Sequence, residues 1–408
     1  MRMPLPKARL RRIGRILLVA VLVLLAGLGS YVGYAALRAT RSVTLPAPTG
    51  PYRVGRAIAE WTDHARADPL APPPGGPRRL SVWLWYPAEP VAGAETAPYA
   101  PGAWTGLHLG GALAWSETKF EDVRVHAIAD VPVAAGRFPV VVLEPGMGFA
   151  APQYTTIAED LASHGYLVVG VTPTYSANLT VLGGTTVQAS EAGNPSVFDG
   201  DDLHTGQAQA AGDRLVRVWA DDARFAAAQV LTQSAFTGHL DTTKTIYIGH
   251  SFGGAAALEA CRSDPYCAGA ADLDGTQYGT VVHSGLAKPL MFLGSQDSCI
   301  TGTCAPATPA DRSDRAAAQS LLNAGSGPVW CYRIAGTEHF NFTDYAAYYL
   351  AAPTGLLLAL GPADGDVVLT ITGAYLSAFA DRAVSGRPQA LLAAPSPYSQ
   401  VEVQRTIP

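Results

Sequence analysis

One stretch limits the fold more than any other: Thr245-Ile-Tyr-Ile-Gly-His-Ser-Phe-Gly-Gly254, followed at once by Ala255-Ala-Ala-Leu-Glu-Ala260. The β-branched and aromatic run at 245–248 predicts a buried strand, and the alanine-rich run at 255–260 a helix. A chain that turns from strand to helix in about five residues crowds its own backbone. Gly249 and Gly253 flank Ser251 in the only Gly-x-Ser-x-Gly of the sequence and leave room for a strained serine at the apex. The hydroxyl then stands at a helix N-terminus, where free N–H groups and the helix dipole favour developing negative charge.

The runs on either side predict an α/β fold. Residues 138–143 are continuously apolar, as in a central strand buried on both faces. Residues 79–86, 123–133, 166–171, 268–273, 289–293 and 329–334 read as further strands. Helical spacing runs through 154–164, 213–233 and 367–382. This alternation predicts a mostly parallel central sheet with helices on both faces. Residues 172–212 are polar and glycine-punctuated and read as a loop-rich insertion over one end of the sheet, where binding loops gather. The apolar segment 346–360 is interrupted by Pro353, is too short to span a bilayer and reads as core.

The first forty residues are different material. Arg2, Lys7, Arg9, Arg11, Arg12 and Arg15 precede an uncharged run at 16–37. Twenty-two helical residues rise about 33 Å, enough to cross the hydrocarbon of a bilayer. A cleavable signal has a shorter apolar region, roughly 7–15 residues. The basic flank should stay cytoplasmic. The expected organisation is therefore a transmembrane signal anchor at 1–41 and an extracytoplasmic catalytic domain at 42–408, joined by a Pro/Thr linker at 42–51. If cleavage occurs near Ala35-Ala36, the domain is secreted instead. Cys261 and Cys267, and Cys299 and Cys304, are spaced for local disulfides, which agrees with export. Cys331 is left over in a strand. A net charge of −5 with basic residues clustered only at the N-terminus argues against nucleic-acid binding. No Cys/His spacing suits zinc, so no metal is expected.

A serine hydroxyl needs a base to become a nucleophile. After an elbow of this type the partners follow in the order acid, then histidine. Of nine histidines only His283 and His339 come after Ser251. His339 lies just past the strand at 329–334, where a parallel sheet gathers its chemistry, whereas no strand delivers His283. His250 is expected to point away from the serine and to make a structural hydrogen bond. Two acids suit the third role: Asp274, which leaves the strand at 268–273, and Asp297, which leaves the strand at 289–293. Asp272 reads as a structural group. The oxyanion needs backbone donors, and the Phe252 N–H and the Met147 N–H, between Gly146 and Gly148, are the candidates.

These residues resemble the plasma-type, serine-dependent platelet-activating-factor acetylhydrolase family of α/β-hydrolases. The likeness runs through most of residues 50–385. It rests on Val82-Trp-Leu-Trp-Tyr-Pro-Ala88, Pro145-Gly-Met-Gly148, Leu161-Ala-Ser-His-Gly-Tyr166, Gly249-His-Ser-Phe-Gly-Gly254, Leu273-Asp-Gly275 and His339-Phe-Asn-Phe-Thr-Asp344. The resemblance implies an α/β-hydrolase fold, Asp274 as the acid, Met147 and Phe252 as oxyanion donors, and no cofactor. It also implies short or oxidised acyl esters of phospholipids as substrates. The chain departs from the family at Glu144-Pro145-Gly146 and at Thr172-Pro-Thr-Tyr-Ser176. Polyester hydrolases related to cutinases share a similar elbow, and their acid would fall on Asp297. The rival readings are a cutinase-like or general esterase on non-lipid esters and a catalytically silent surface-binding domain of the same fold.

Overall fold

The computed structural model describes residues 7–107, 115–200, 203, 205–351, 354–355 and 358–407. Arg2 and Pro353, named above, lie outside them. A twelve-stranded sheet organises the described residues. From one edge its strands are Val43–Thr44, Val123–Ala129, Arg53–Ala67, Pro77–Ala88, Leu167–Thr172, Phe138–Glu144, Leu240–His250, Cys267–Leu273, Leu290–Gly294, Val329–Ile334 and Val401–Ile407. Thr96–Pro98 pairs with the second of these. The six strands from Leu167–Thr172 to Val329–Ile334 run parallel to one another. Antiparallel pairing enters at Pro77–Ala88 and at Val401–Ile407.

Strand geometry explains the unbroken apolar runs. Successive side chains point to opposite faces, so Val141 and Leu143 join one core while Val140 and Val142 join another. The first core is closed by helices Thr155–Ser163 and Gly365–Ser385. The second is closed by Gly206–Val230, Phe252–Ser263 and Pro309–Ala324. Helices therefore cover both faces, as expected from the alternation.

Several boundaries differ from the sequence reading. The 15-residue strand Arg53–Ala67 was not expected, because it is buried in an irregular mixture rather than in strict alternation. Helix Pro309–Ala324 was also not expected: only Ala318, Leu321 and Leu322 are buried, so its apolar stripe is narrow. The insertion at 172–212 is less irregular than it reads. It carries the hairpin Leu179–Leu182 with Thr185–Gln188, turned on Gly183 and Gly184 at φ 59° and 72°. Its last residues already belong to helix Gly206–Val230, capped by Thr205; Asp201, Asp202 and His204 lie outside the described residues. Below the insertion, buried Arg78 is held between Asp222 and Asp68, with its shortest contact 2.6 Å.

Both expected disulfides, Cys261–Cys267 and Cys299–Cys304, are formed, and Cys331 is buried. Helix Lys7–Ala39 contains the stretch Arg11–Ala39, 29 residues whose most apolar 18-residue window has mean hydropathy 2.5, long and apolar enough to cross a membrane. The stretch at 42–51 is no free linker: Val43–Thr44 joins the sheet beside Val123 and Arg124.

Candidate active site

Strand Leu240–His250 ends at Ser251, and helix Phe252–Ser263 starts at the next residue. Ser251 has φ 56° and ψ −127°, a conformation that costs a non-glycine residue about 1–3 kcal/mol. The glycines make it sterically feasible. A Cβ on Gly249 would sit 2.0 Å from the Gly253 carbonyl oxygen, and one on Gly253 would sit 2.3 Å from that of Pro145.

His339 opens the 3-10 turn His339–Phe342 beyond strand Val329–Ile334. The turn is clamped by Asn341, whose side-chain oxygen accepts from the Glu338 and Gly361 amides at 2.8 Å each. Asp344 fixes the far end by accepting from the Thr155 and Thr156 amides at 2.8 and 3.0 Å, a carboxyl set at a helix N-terminus. The motif His-x-Asn-x-x-Asp thus carries one ring and two anchors for it.

His339 Nε2 lies 2.9 Å from Ser251 Oγ, and Nδ1 lies 2.8 Å from an Asp274 carboxylate oxygen. An ionised carboxylate can only accept, so Nδ1 carries the hydrogen and Nε2 is left to accept from the hydroxyl. Asp274 sits at φ 56° directly after strand Cys267–Leu273, and its other oxygen accepts from the Ser295 amide at 2.8 Å. Burial alone would raise this carboxyl. The hydrogen bond and charge of His339, together with the Ser295 amide, bring it below the ordinary range, so it is ionised at neutral pH. Asp297 is exposed and has no hydrogen bond to His339 among the described residues. His283 is exposed, and Asp272 accepts from the Gly275 amide and the Gln277 side chain.

Tyr154, which has no role in the sequence reading, and His250, expected to make a structural hydrogen bond, complete the setting. The Gly146 amide donates to the Tyr154 hydroxyl at 2.8 Å, and that hydroxyl lies 2.8 Å from His250 Nδ1. His250 Nε2 lies 2.9 Å from the His339 carbonyl, an acceptor, so Nε2 carries the hydrogen and Nδ1 accepts from Tyr154. One relay therefore joins the Gly146–Met147 loop to the backbone of His339. Burial, then the neighbouring His339, holds the His250 ring well below the usual imidazole range. Ser251, His339, Gly146 and Met147 line a cleft of about 390 Å³ with Phe198, Phe252 and Tyr278. A second hollow of about 330 Å³, lined by Leu107, Phe149, Leu179, Tyr345 and Leu358, shares Gly148, Asn178 and Phe340 with it. Hollows of about 530 and 600 Å³ elsewhere touch none of Ser251, His339 and Asp274, so size alone would select the wrong cavity.

Glu144, at the end of the central strand, is 1% exposed, and neither of its oxygens has a hydrogen-bond partner among the described residues. Burial, then the nearby Asp222, pushes its carboxyl well above the ordinary range, against Arg78. Such a group is protonated when folded and ionised when unfolded, so the native chain binds more protons. Stability must then decline as pH rises from the ordinary carboxyl value of about 4.5 toward the folded value. Glu144→Gln removes that slope. Melting curves should show the variant gaining on the wild type as pH rises above about 5, and a constant difference in Tm would refute the neutral assignment.

No family model matches the chain. Over 62% of its length it is 26% identical to a protein of Arthroderma benhamiae named probable 1-alkyl-2-acetylglycerophosphocholine esterase, with 65% of that protein covered. It is 25% identical, again over 62% of its length, to the platelet-activating factor acetylhydrolase of Cavia porcellus, with 61% of that protein covered. The chain thus spans a little under two thirds of these curated relatives. The solved ferulic acid esterase of Streptomyces cinnamoneus superposes with a TM-score of 0.73 at 28% identity, over 89% of this chain and 100% of the other. The mostly parallel sheet is accordingly α/β-hydrolase-like. The relatives bear the names of the family that the elbow and histidine-turn motifs resemble, and they and the structural neighbour are esterases.

Proposed function

We propose that the protein is a serine carboxylic-ester hydrolase. Ser251 Oγ attacks the ester carbonyl while His339 Nε2 takes its proton. Asp274 holds the imidazole tautomer and stabilises the imidazolium. The tetrahedral oxyanion is held by the Met147 and Phe252 amides, neither of which has a hydrogen-bond acceptor among the described residues. His339 then gives its proton to the leaving alkoxide, and water, activated by the same imidazole, hydrolyses the acyl-enzyme. The observation that carries this reading is the unbroken run of 2.9 and 2.8 Å contacts from Ser251 through His339 to Asp274. These residues come from three distant segments and meet beside a cleft.

The preferred substrates in this reading are short or oxidised acyl esters of phospholipids. The names of the curated relatives and the apolar side chains Met147, Phe198, Leu203 and Phe340 in the lining of the cleft support that class. The apolar stretch Arg11–Ala39 acts as a signal anchor, with the catalytic domain, residues 42–408, outside the cytoplasm. Aromatic-acid esters are the second reading, favoured by the ferulic acid esterase likeness and by the Phe198, Phe252 and Tyr278 rings in the cleft.

A fluorophosphonate probe should label the full-length protein at Ser251 and nowhere else, located by peptide mass. Absence of labelling would favour a silent binding domain. In the same preparation a 2-acetyl glycerophospholipid should turn over faster than methyl ferulate. The reverse order would move the assignment to aromatic esters.

A further inference from the structure

The chain leaves the apolar helix with no slack. After Val43–Thr44, the Leu45 amide donates to the Arg124 carbonyl at 3.0 Å and its side chain is buried. The Thr49 amide and hydroxyl both donate to Asp160 at 2.8 Å, and the Gly50 amide donates to Ser163 Oγ at 2.9 Å. The end of the helix is also seated. Ala35 and Ala39 are 0% and 4% exposed, whereas Val21 and Leu24, further up the helix, are 50% and 71% exposed. The Arg38 guanidinium lies 5.0 Å over the ring of Tyr349.

Tyr349 is not among the residues that line either hollow; its backbone holds a neighbouring segment. Its carbonyl accepts from the Thr118 amide at 2.9 Å, and the Ala351 amide donates to the Ser116 carbonyl at 2.7 Å, so 116–118 and 349–351 form one small ladder. Trp115, next to this ladder, is 38% exposed. Four residues before Tyr349, Tyr345 lines the second hollow with Leu107 and Leu358. The uncharged run of the helix ends at Leu37. If that run spans a bilayer, whatever touches Ala35–Ala39 stands at headgroup height, where aromatic rings are favoured.

We infer that the last turn of the helix is a rigid mount rather than a tether. It sets Trp115 and Tyr349 against the lipid surface, so that the cleft takes its ester from the leaflet in which the protein is anchored. This rests on the hydrolase and anchor reading above. A domain on a flexible spacer would face every direction. Ten Gly/Ser residues alone have an end-to-end reach of about 17 Å, and the rim would lose its fixed seat.

The test uses the full chain reconstituted in phosphatidylglycerol–phosphatidylethanolamine vesicles that contain a 2-acetyl glycerophospholipid, with p-nitrophenyl acetate as the soluble ester. One variant carries ten Gly/Ser residues inserted between Thr40 and Arg41, both exposed; a second carries Arg38→Ser with Tyr349→Ser. Both should leave p-nitrophenyl acetate turnover unchanged and lower vesicle-ester turnover about tenfold. Vesicle turnover within about twofold of wild type in the spacer variant overturns the inference. So does a wild type that hydrolyses the soluble ester but not the vesicle ester, a result that leaves the hydrolase reading standing. If the wild type hydrolyses neither, that reading falls and takes the inference with it.

Discussion

Ser251→Ala is expected to reduce p-nitrophenyl acetate kcat/KM by roughly 10⁴-fold or more and to abolish fluorophosphonate labelling. The size follows from the role: without an attacking oxygen, only the oxyanion donors and substrate binding are left to accelerate attack by water. Alanine leaves out only the hydroxyl, and it tolerates the φ of 56° no better or worse than serine does. The fold should therefore survive, as circular dichroism and an unchanged melt would show. Residual turnover above about one per cent, after active-site titration rules out contaminating wild type, would mean that the reaction does not pass through this residue.

The second large effect separates two carboxylates. Asp274→Asn should lower kcat by about 10³–10⁴-fold, because an amide facing Nδ1 favours the wrong imidazole tautomer and cannot stabilise the imidazolium. Asparagine accepts left-handed backbone readily, so the φ of 56° at this site makes the change a test of charge rather than of folding. Asp297→Asn alters an exposed side chain that has no hydrogen bond to the ring among the described residues and should stay within about twofold of wild type. If the two results are exchanged, the acid is Asp297 and the cutinase-like arrangement applies.

The elbow was legible because steric crowding leaves so few residue choices: two glycines around one serine, a buried strand before them and a helix after. His339 was legible from chain order and from the strand that delivers it. The choice between Asp274 and Asp297 was legible only through the family resemblance, since both follow a strand. It depends on the left-handed turn after Leu273 and on the Ser295 amide, reached from the neighbouring strand. Arg53–Ala67 lies on the outer, partly wet side of the sheet, where neither a continuous nor an alternating pattern is imposed. Helix Pro309–Ala324 had a readable start in Thr308-Pro309 and Asp311, a capping box with proline in the first turn. The signal was local, and a stripe as narrow as Ala318, Leu321 and Leu322 did not stand out. The relay through Tyr154 and His250 has no one-dimensional signature, because its members meet only after the sheet has closed.

The tilted contact of His250 with His339, ring centroids 4.6 Å apart and planes at 38°, bears on the electrostatic cost of the proposed reaction. Were both rings cationic, their repulsion would be of order 3–4 kcal/mol at an effective dielectric near 20, and it would peak when the tetrahedral adduct forms. A companion that refuses protons spares the base that conflict. In the proposed reaction the pair can thus keep the rigidity of two closely packed heterocycles while only one of them ever bears charge.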